Sequence, residues 1–323
     1  MKWNPLLLCC LVVMLWACNS SSVETEPAPP PPPPPVQDKQ TQALLLKQDF
    51  PFDPADKNKV TGDYVAQAKI VVPADLATQS KWIMFEGPVL ENDRIAYRYY
   101  ADSRHRFDIY GKTVADLVMD TVSWQYHDIM NWGSDILKVG NSLGLGSPAI
   151  WYQDSLYTLS VCAEKTIEVV EDGAQRSMIR TTFTDLQIAE DTFTVVQDWS
   201  LNAGQSWSEI TLRVVNGVLP DGMAFATGIV KHLPTAVNGH SDDYFYLMNW
   251  GEQSFHQENM GMAILAKQTY QPVTVADERS HALAFQDAKQ TVSYRFMAAW
   301  ERDLTEVKKE EDFLRLVKNA TQE

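Results

Sequence analysis

Alternation of apolar and polar residues recurs along most of this chain, and it limits the possible folds more than any other feature. In TVSYRFMAAW, Thr291 to Trp300, the side chains of Val292, Tyr294, Phe296 and Ala298 fall on one face of an extended strand. Ser293 and Arg295 fall on the other. SWSEITLRVV repeats the pattern, with Ile210, Leu212 and Val214 set against Glu209, Thr211 and Arg213. RIAYRYY, TFTVVQDW, YFYLMNW and GMAILA are further β-branched or aromatic runs bounded by turn residues. Turn signals such as Glu171-Asp-Gly173, Asn202-Ala-Gly204 and Asp221-Gly222 separate them. Such spacing predicts a mainly β, antiparallel sandwich and not alternating βαβ units. The end differs: Leu304, Val307, Phe313, Leu314 and Val317 punctuate a charge-rich segment, which predicts a short C-terminal amphipathic helix lying on a sheet. With no repeat and no later linker, residues 46–323 are expected to form one β-sandwich domain.

The other end carries an address. Lys2 precedes an apolar run, Leu6 to Ala17, too short to span a bilayer. Residues 1–17 therefore read as a secretory signal peptide. Leu15-Trp-Ala-Cys18 resembles a bacterial lipobox, although Trp16 is bulkier than is usual there. That resemblance implies cleavage before Cys18, acylation of its thiol, and a lipid-anchored protein of the cell envelope. Residues 18–45 form the linker, in which the prolines Pro29 to Pro35 impose polyproline II. Cys9 and Cys10 would leave with the signal, so Cys162 remains as a lone thiol, expected to be buried and structural. The formal net charge of −15 and the lack of a long basic run argue against nucleic acid as a partner.

Several stretches carry candidate chemistry. Gly140-Asn-Ser142-Leu-Gly144 fits the pattern G-x-S-x-G, but a nucleophile elbow needs a helix after the serine. Gly144, Gly146 and Pro148 read as a turn instead, in which Asn141 is a candidate ligand contact. Between Arg94 and Lys112 lies a basic island, where Arg94, Arg98, Arg104, Arg106 and Lys112 outnumber Asp102 and Asp108. On a strand, Tyr97 and Tyr99 share one face, Arg98 and Tyr100 the other. Arginine grips carboxylate or sulfate with two parallel bonds, and aromatic faces stack on sugars, so the sharp reading is an anionic carbohydrate. The plain alternative is a solvated strand face of surface ion pairs. Next come Tyr126 and His127, followed by Trp132, Asp135 and Lys138. Histidine is the usual general acid or base near neutral pH. His232, beside Lys231 at the end of an apolar run, is a second candidate. His240 to Asp243 with His256 matches no metal-ligand spacing, and neither metal nor cofactor is assigned. Trp132, Trp250 and Trp300 adjoin polar residues, as either sugar platforms or core.

FEGPVLENDRIAYRYYADSRHRFDIYGK, YHDIMNWGSDILKVGNSLGLG, ATGIVKH and AAWERD with EEDFLRLV resemble a family of exported bacterial proteins. That family is described as a domain of unknown function, associated with polysaccharide utilisation and similar to ulvan-oligosaccharide dehydratases. The resemblance covers nearly everything after the proline linker. It implies a galactose-mutarotase-like β-supersandwich, and removal of water from the non-reducing-end uronic acid of an anionic oligosaccharide to leave an unsaturated uronate. Such chemistry needs a base for the C5 proton, an acid for the departing hydroxyl, and a clamp for the developing enolate. His127 is the expected base, and Lys138, Tyr126 or His232 the acid. Arg98 and Arg104 are the expected clamp, with Tyr97, Trp132, Trp250 and Asn141 as further substrate contacts. A glycan-binding lipoprotein without turnover, or a sugar epimerase or mutarotase, are the alternatives. A glycoside hydrolase ranks lower, since no carboxylate pair stands out.

Overall fold

The computed structural model describes residues 38–322 except 61 and 242; the signal peptide, Cys18 and the proline run lie outside them. The described chain is mainly antiparallel β, with one α-helix near its end, as the alternation predicts. A nine-stranded sheet forms one layer. Its order runs Val237–Ser241, Tyr244–Glu252, Asn259–Lys267, Thr291–Trp300, Trp207–Val214, Asp191–Asn202, Arg176–Ile188, Glu164–Asp172 and Lys69–Val72. Two five-stranded sheets face it. The first, which carries the candidate site, runs Thr41–Leu44, Val89–Asn92, Ile95–Tyr99, Phe107–Lys112 and Gly133–Asp135. The second runs Ser155–Thr158, Ala149–Tyr152, Ala224–Val230, Ser280–Phe285 and Pro272–Val275. The strand Thr41–Leu44 pairs with Val89–Asn92, so sheet structure begins before the boundary expected at residue 45.

The main core fills the space between the layers, and each strand contributes the residues its alternation assigns. Val292, Tyr294, Phe296 and Ala298 enter it, as do Ile210, Leu212 and Val214. On the opposite face of the large sheet, Met297 and Ala299 meet a second cluster under the helix Glu310–Asn319. Phe313 and Val317 are that helix's buried residues. Leu304 and Val307 precede the helix, which is shorter than their spacing suggested.

The glycine run in 140–146 is the seam between the two five-stranded sheets. Leu145 N–H donates to Phe107 O of one sheet at 3.3 Å, and Gly146 N–H to Gly228 O of the other at 2.9 Å. Ser142 Oγ donates to Val139 O and accepts from Gly144 N–H, so this serine closes a turn and is no nucleophile. At Gly144 φ is +57°, and a Cβ there would lie 2.1 Å from Phe107 O. The replacement Gly144→Ala should therefore destabilise the fold by about 1–3 kcal/mol, read as a lower midpoint in urea.

Candidate functional site

The strands Ile95–Tyr99 and Phe107–Lys112 form a hairpin in which Arg98 pairs directly with Asp108. Tyr110 lies opposite Asp135 on the next strand. Period-two geometry then puts Arg98, Asp108, Tyr110 and Asp135 on the face turned away from the large sheet. Tyr97, Tyr99, Phe107 and Ile109 point inward to the main core. The excursion between Lys112 and Gly133 folds back over the outer face. Asp135 N–H donates to Tyr126 O at 2.8 Å, fixing that excursion against the strand. The next residue, His127, thereby brings Nδ1 to within 3.2 Å of Asp135 Oδ2.

Arg98 is the hub. Its Nε and Nη2 donate to Asp108 Oδ2 at 3.2 and 2.8 Å. Nη1 donates to Phe85 O at 2.6 Å and to Tyr126 OH at 3.2 Å, and Nη2 to Tyr100 OH at 2.9 Å. Asp135 Oδ2 stands 3.3 Å from Nη2. Tyr100, Tyr110 and Tyr126 surround the guanidinium, with ring centroids 4.3, 5.5 and 5.1 Å from its carbon. Burial opposes the charge, yet the phenols and Asp108 hold Arg98 well above its usual range. This corrects its expected role: a guanidinium fully buried and bonded on every side has no free edge for a substrate carboxylate.

Arg104 lies across the Tyr100 ring, 3.6 Å from its centroid. Its Nε and Nη2 grip Asp102, and Nη2 also reaches Glu86 at 2.6 Å. Glu86 in turn lies 3.8 Å from Arg98. Two guanidinium groups thus face four carboxylates, Glu86, Asp102, Asp108 and Asp135, so the cluster is acidic and not the cationic pocket expected from the sequence. Burial and the neighbouring Asp135 push the Asp108 carboxyl up to about 6, against the pull of Arg98. Burial pushes Tyr126 up to about 12, so its phenol keeps its proton at neutral pH. The hydrogen bond that His127 donates to Asp135 raises the imidazole above its usual value, although partial burial opposes it.

His127 is the accessible end of this network, with 52% of its side chain exposed, while Asp135 behind it is buried. Its Nδ1 is held, and Nε2 is the nitrogen left for a ligand. Phe255 flanks it, with ring centroids 5.6 Å apart and planes at 31°. Trp132, half-buried, meets Tyr110 edge-on and walls the cluster. The carboxylates converge on a guanidinium, and among the described residues no group of three His, Cys, Asp or Glu side chains is arranged to hold a metal.

Other expected residues lie elsewhere. Tyr97 is fully buried between the layers, where its OH accepts from Ala298 N–H at 3.1 Å; it is core, not a substrate contact. Trp250 packs on Phe313 of the helix at 5.8 Å, on the outer face of the large sheet. His232 and Lys138 do meet, through His232 Nε2 and Lys138 O at 2.8 Å, but at the seam, with no hydrogen bond or ion pair to the Arg98 cluster among the described residues. Asn141 sits on the same seam and accepts from Arg106 Nη1 at 3.3 Å. Cys162 is half-buried, less enclosed than expected, and burial pushes its thiol up. The sequence put Tyr100 on the face of Arg98 and Asp108 in the same island without pairing them, and it left Glu86 and Phe255 unmarked. A hairpin folded about Ser103 would have placed Arg98 beside Asp108; nothing local marks Phe255.

The family described as a domain of unknown function (DUF4861) matches residues 8–323. This chain belongs to that family. No curated protein matches it. Among solved structures, the DUF4861 chain is similar to the alpha-N-acetylgalactosaminidase NagBb from Bifidobacterium bifidum, at 12% identity and a TM-score of 0.31 over 65% of this chain and 35% of that one. It therefore spans about a third of the galactosaminidase's length. It is also similar to a putative aldose 1-epimerase from Klebsiella pneumoniae subsp. pneumoniae, at 7% identity and a TM-score of 0.38 over 87% of this chain and 95% of that one. Likenesses this distant identify neither substrate nor chemistry.

Proposed function

We propose that this DUF4861 protein is a carbohydrate-active hydro-lyase that removes water from the non-reducing-end uronic acid of an anionic, ulvan-like oligosaccharide. One observation carries the reading: an imidazole half in solvent whose Nδ1 is held by a buried aspartate, which leaves Nε2 for a ligand. That is the arrangement of an oriented general base, its basicity raised by the carboxylate behind it. His127 takes the C5 proton, the C4–C5 double bond forms, and the C4 hydroxyl departs. An acid supplies a proton so that it leaves as water. Lys138 and His232 lie at the seam, and Tyr126 is buried with its OH accepting from Arg98, so the proton that accompanies the hydroxyl is drawn from solvent.

The clamp needs revision in the same terms. Arg98 serves the protein's own carboxylates. Arg104 is partly exposed, and its hydrogen bonds use Nε and Nη2, which leaves Nη1 for the uronate carboxylate. A network that is negative on balance binds an anion more tightly with Asp108 protonated, so mild acid favours binding while it disfavours the neutral base. In this reading Cys18 and the proline linker tether the domain to a membrane of the cell envelope, within reach of glycans.

The test is incubation with uronic-acid oligosaccharides, followed by ultraviolet absorbance and mass spectrometry. The expected result is a conjugated product lighter than the substrate by one water. Product of unchanged mass with altered stereochemistry would make the protein an epimerase. Ligand recovered unchanged after tight binding would make it a glycan-binding protein.

A further inference from the structure

We infer that Phe255 is the platform on which the reacting sugar ring lies, a binding determinant placed beside the base by a hairpin of the opposite sheet. The inference rests on the reading of His127 given above and adds the subsite that reading lacks.

Residues 253–258 join the strands Tyr244–Glu252 and Asn259–Lys267 of the large sheet. Both Gln253 N–H and Ser254 N–H donate to Glu258 O at 3.2 Å, and Gln257 N–H to Ser254 O at 3.0 Å. Gln257 adopts left-handed backbone at φ +61°. This turn crosses to the site sheet and is fastened there twice. Phe255 N–H donates to Ile136 O at 2.7 Å, and His256 Nε2 pairs with Ser134 Oγ at 2.8 Å. Ser134 and Ile136 flank Asp135, the residue that orients the base. The backbone under Phe255 is thereby registered to the strand that carries Asp135.

The ring itself is 46% exposed, and among the described residues it is the one phenylalanine, tyrosine or tryptophan side chain that stands exposed; other exposed large apolar side chains are Val, Ile, Leu or Met. Two of these, Ile129 and Met130, follow His127 on its own loop. A rigid turn that holds an aromatic ring half out of the core, next to an accessible imidazole, forgoes part of the burial such a side chain usually gains. A pyranose supplies the missing cover. The face carrying its axial C–H bonds is apolar and matches the face of an aromatic ring, while its hydroxyls stay wet. A sugar resting on Phe255 brings C–H bonds to the edge of the neighbouring imidazole, which is what proton abstraction requires. A second copy of this chain is the poorer occupant. Exposed Gln125, His127 and Asp128 break up the apolar patch, and stable protein contacts bury roughly 800 Å² per partner.

The experiment compares Phe255→Ala and Phe255→Trp with the unaltered chain on uronic-acid oligosaccharides, reading turnover by product absorbance and binding by calorimetry. Phe255→Ala is expected to raise KM about tenfold, equivalent to ~1.4 kcal/mol, with kcat changed less than about threefold. Phe255→Trp is expected to restore KM and to change its emission when sugar binds. A chain that turns over with the same KM after Phe255→Ala overturns the platform and leaves the reaction standing. No turnover by the unaltered chain, with sugar-dependent emission in Phe255→Trp and lost heat in Phe255→Ala, keeps the platform and overturns the reaction. If Phe255→Ala instead alters only a monomer–dimer equilibrium, the ring contacts another copy and the inference fails.

Discussion

Replacing Arg98 with methionine is expected to cost the fold about 3–5 kcal/mol, the largest stability effect of any single substitution in the site. The side chain is 1% exposed and is bonded by Asp108, Tyr100, Tyr126 and the Phe85 carbonyl. Methionine fills much of the same space but leaves Asp108 buried without a counter-charge, beside an Asp135 that keeps only His127. The penalty is therefore for a stranded carboxylate, more than for a lost ion pair. Arg98→Lys should recover only part of it, because an ammonium cannot reproduce five donors set in a plane.

The pH dependence follows from Asp108, which already sits at about 6 in the native protein. Removing the guanidinium takes away the influence that pulls it down, so its folded value rises further from the unfolded value of about 3.9. A carboxyl raised in the folded state favours folding when protonated and penalises it as pH climbs through the folded pKa. The deficit of Arg98→Met should thus be largest at neutral and alkaline pH and shrink below about 6. Urea titrations across that range, compared at equal slope, check it. Equal stability of the variant and parent at pH 8 would mean that the two aspartates do not depend on Arg98.

The alternation of strand residues made much of this architecture legible. In Thr291–Trp300 and Trp207–Val214 it assigned each residue to its face, because those strands have one core face and one that meets the helix or solvent. In Ile95–Tyr99 it separated Tyr97 and Tyr99 from Arg98, but it could not say what covered either face. All five residues of that strand are buried, since the large sheet lies on one side and the excursion between Lys112 and Gly133 on the other. Tyr97 therefore became core, and Arg98 became a hub instead of a hand. The same blindness explains the clamp. Charge is visible in a sequence, but the partner that spends it is not: Asp108 lies ten residues from Arg98 and Asp135 thirty-seven. The G-x-S-x-G run, read from the sequence as a turn, is one, but its role as the seam between two sheets depends on partners far away in the chain. Phe255 was invisible because nothing within the chain next to it indicates that its turn reaches the other sheet.

Loss of His127 is expected to do the opposite of loss of Arg98: the fold remains and the chemistry goes. With half its side chain in solvent, His127→Ala should leave the urea midpoint nearly unchanged, while turnover of a uronate oligosaccharide falls by about 10²–10⁴. The contrast separates a base from a structural residue, since Arg98→Met should lower both. The pH profile separates a base from a mere contact. A general base must be neutral, so the rate should rise with pH through the His127 pKa, which Asp135 holds above the ordinary imidazole value of about 6.5. Asp135→Asn removes the charge that raises it, so the acidic limb should move down even as the maximal rate drops with the loss of orientation. A limb that stays in place after Asp135→Asn would assign the titration to another group, with Asp108 the first to examine. Full turnover by His127→Ala would remove the base altogether, and the half-exposed imidazole would be left as a ligand contact, with the elimination chemistry without a source.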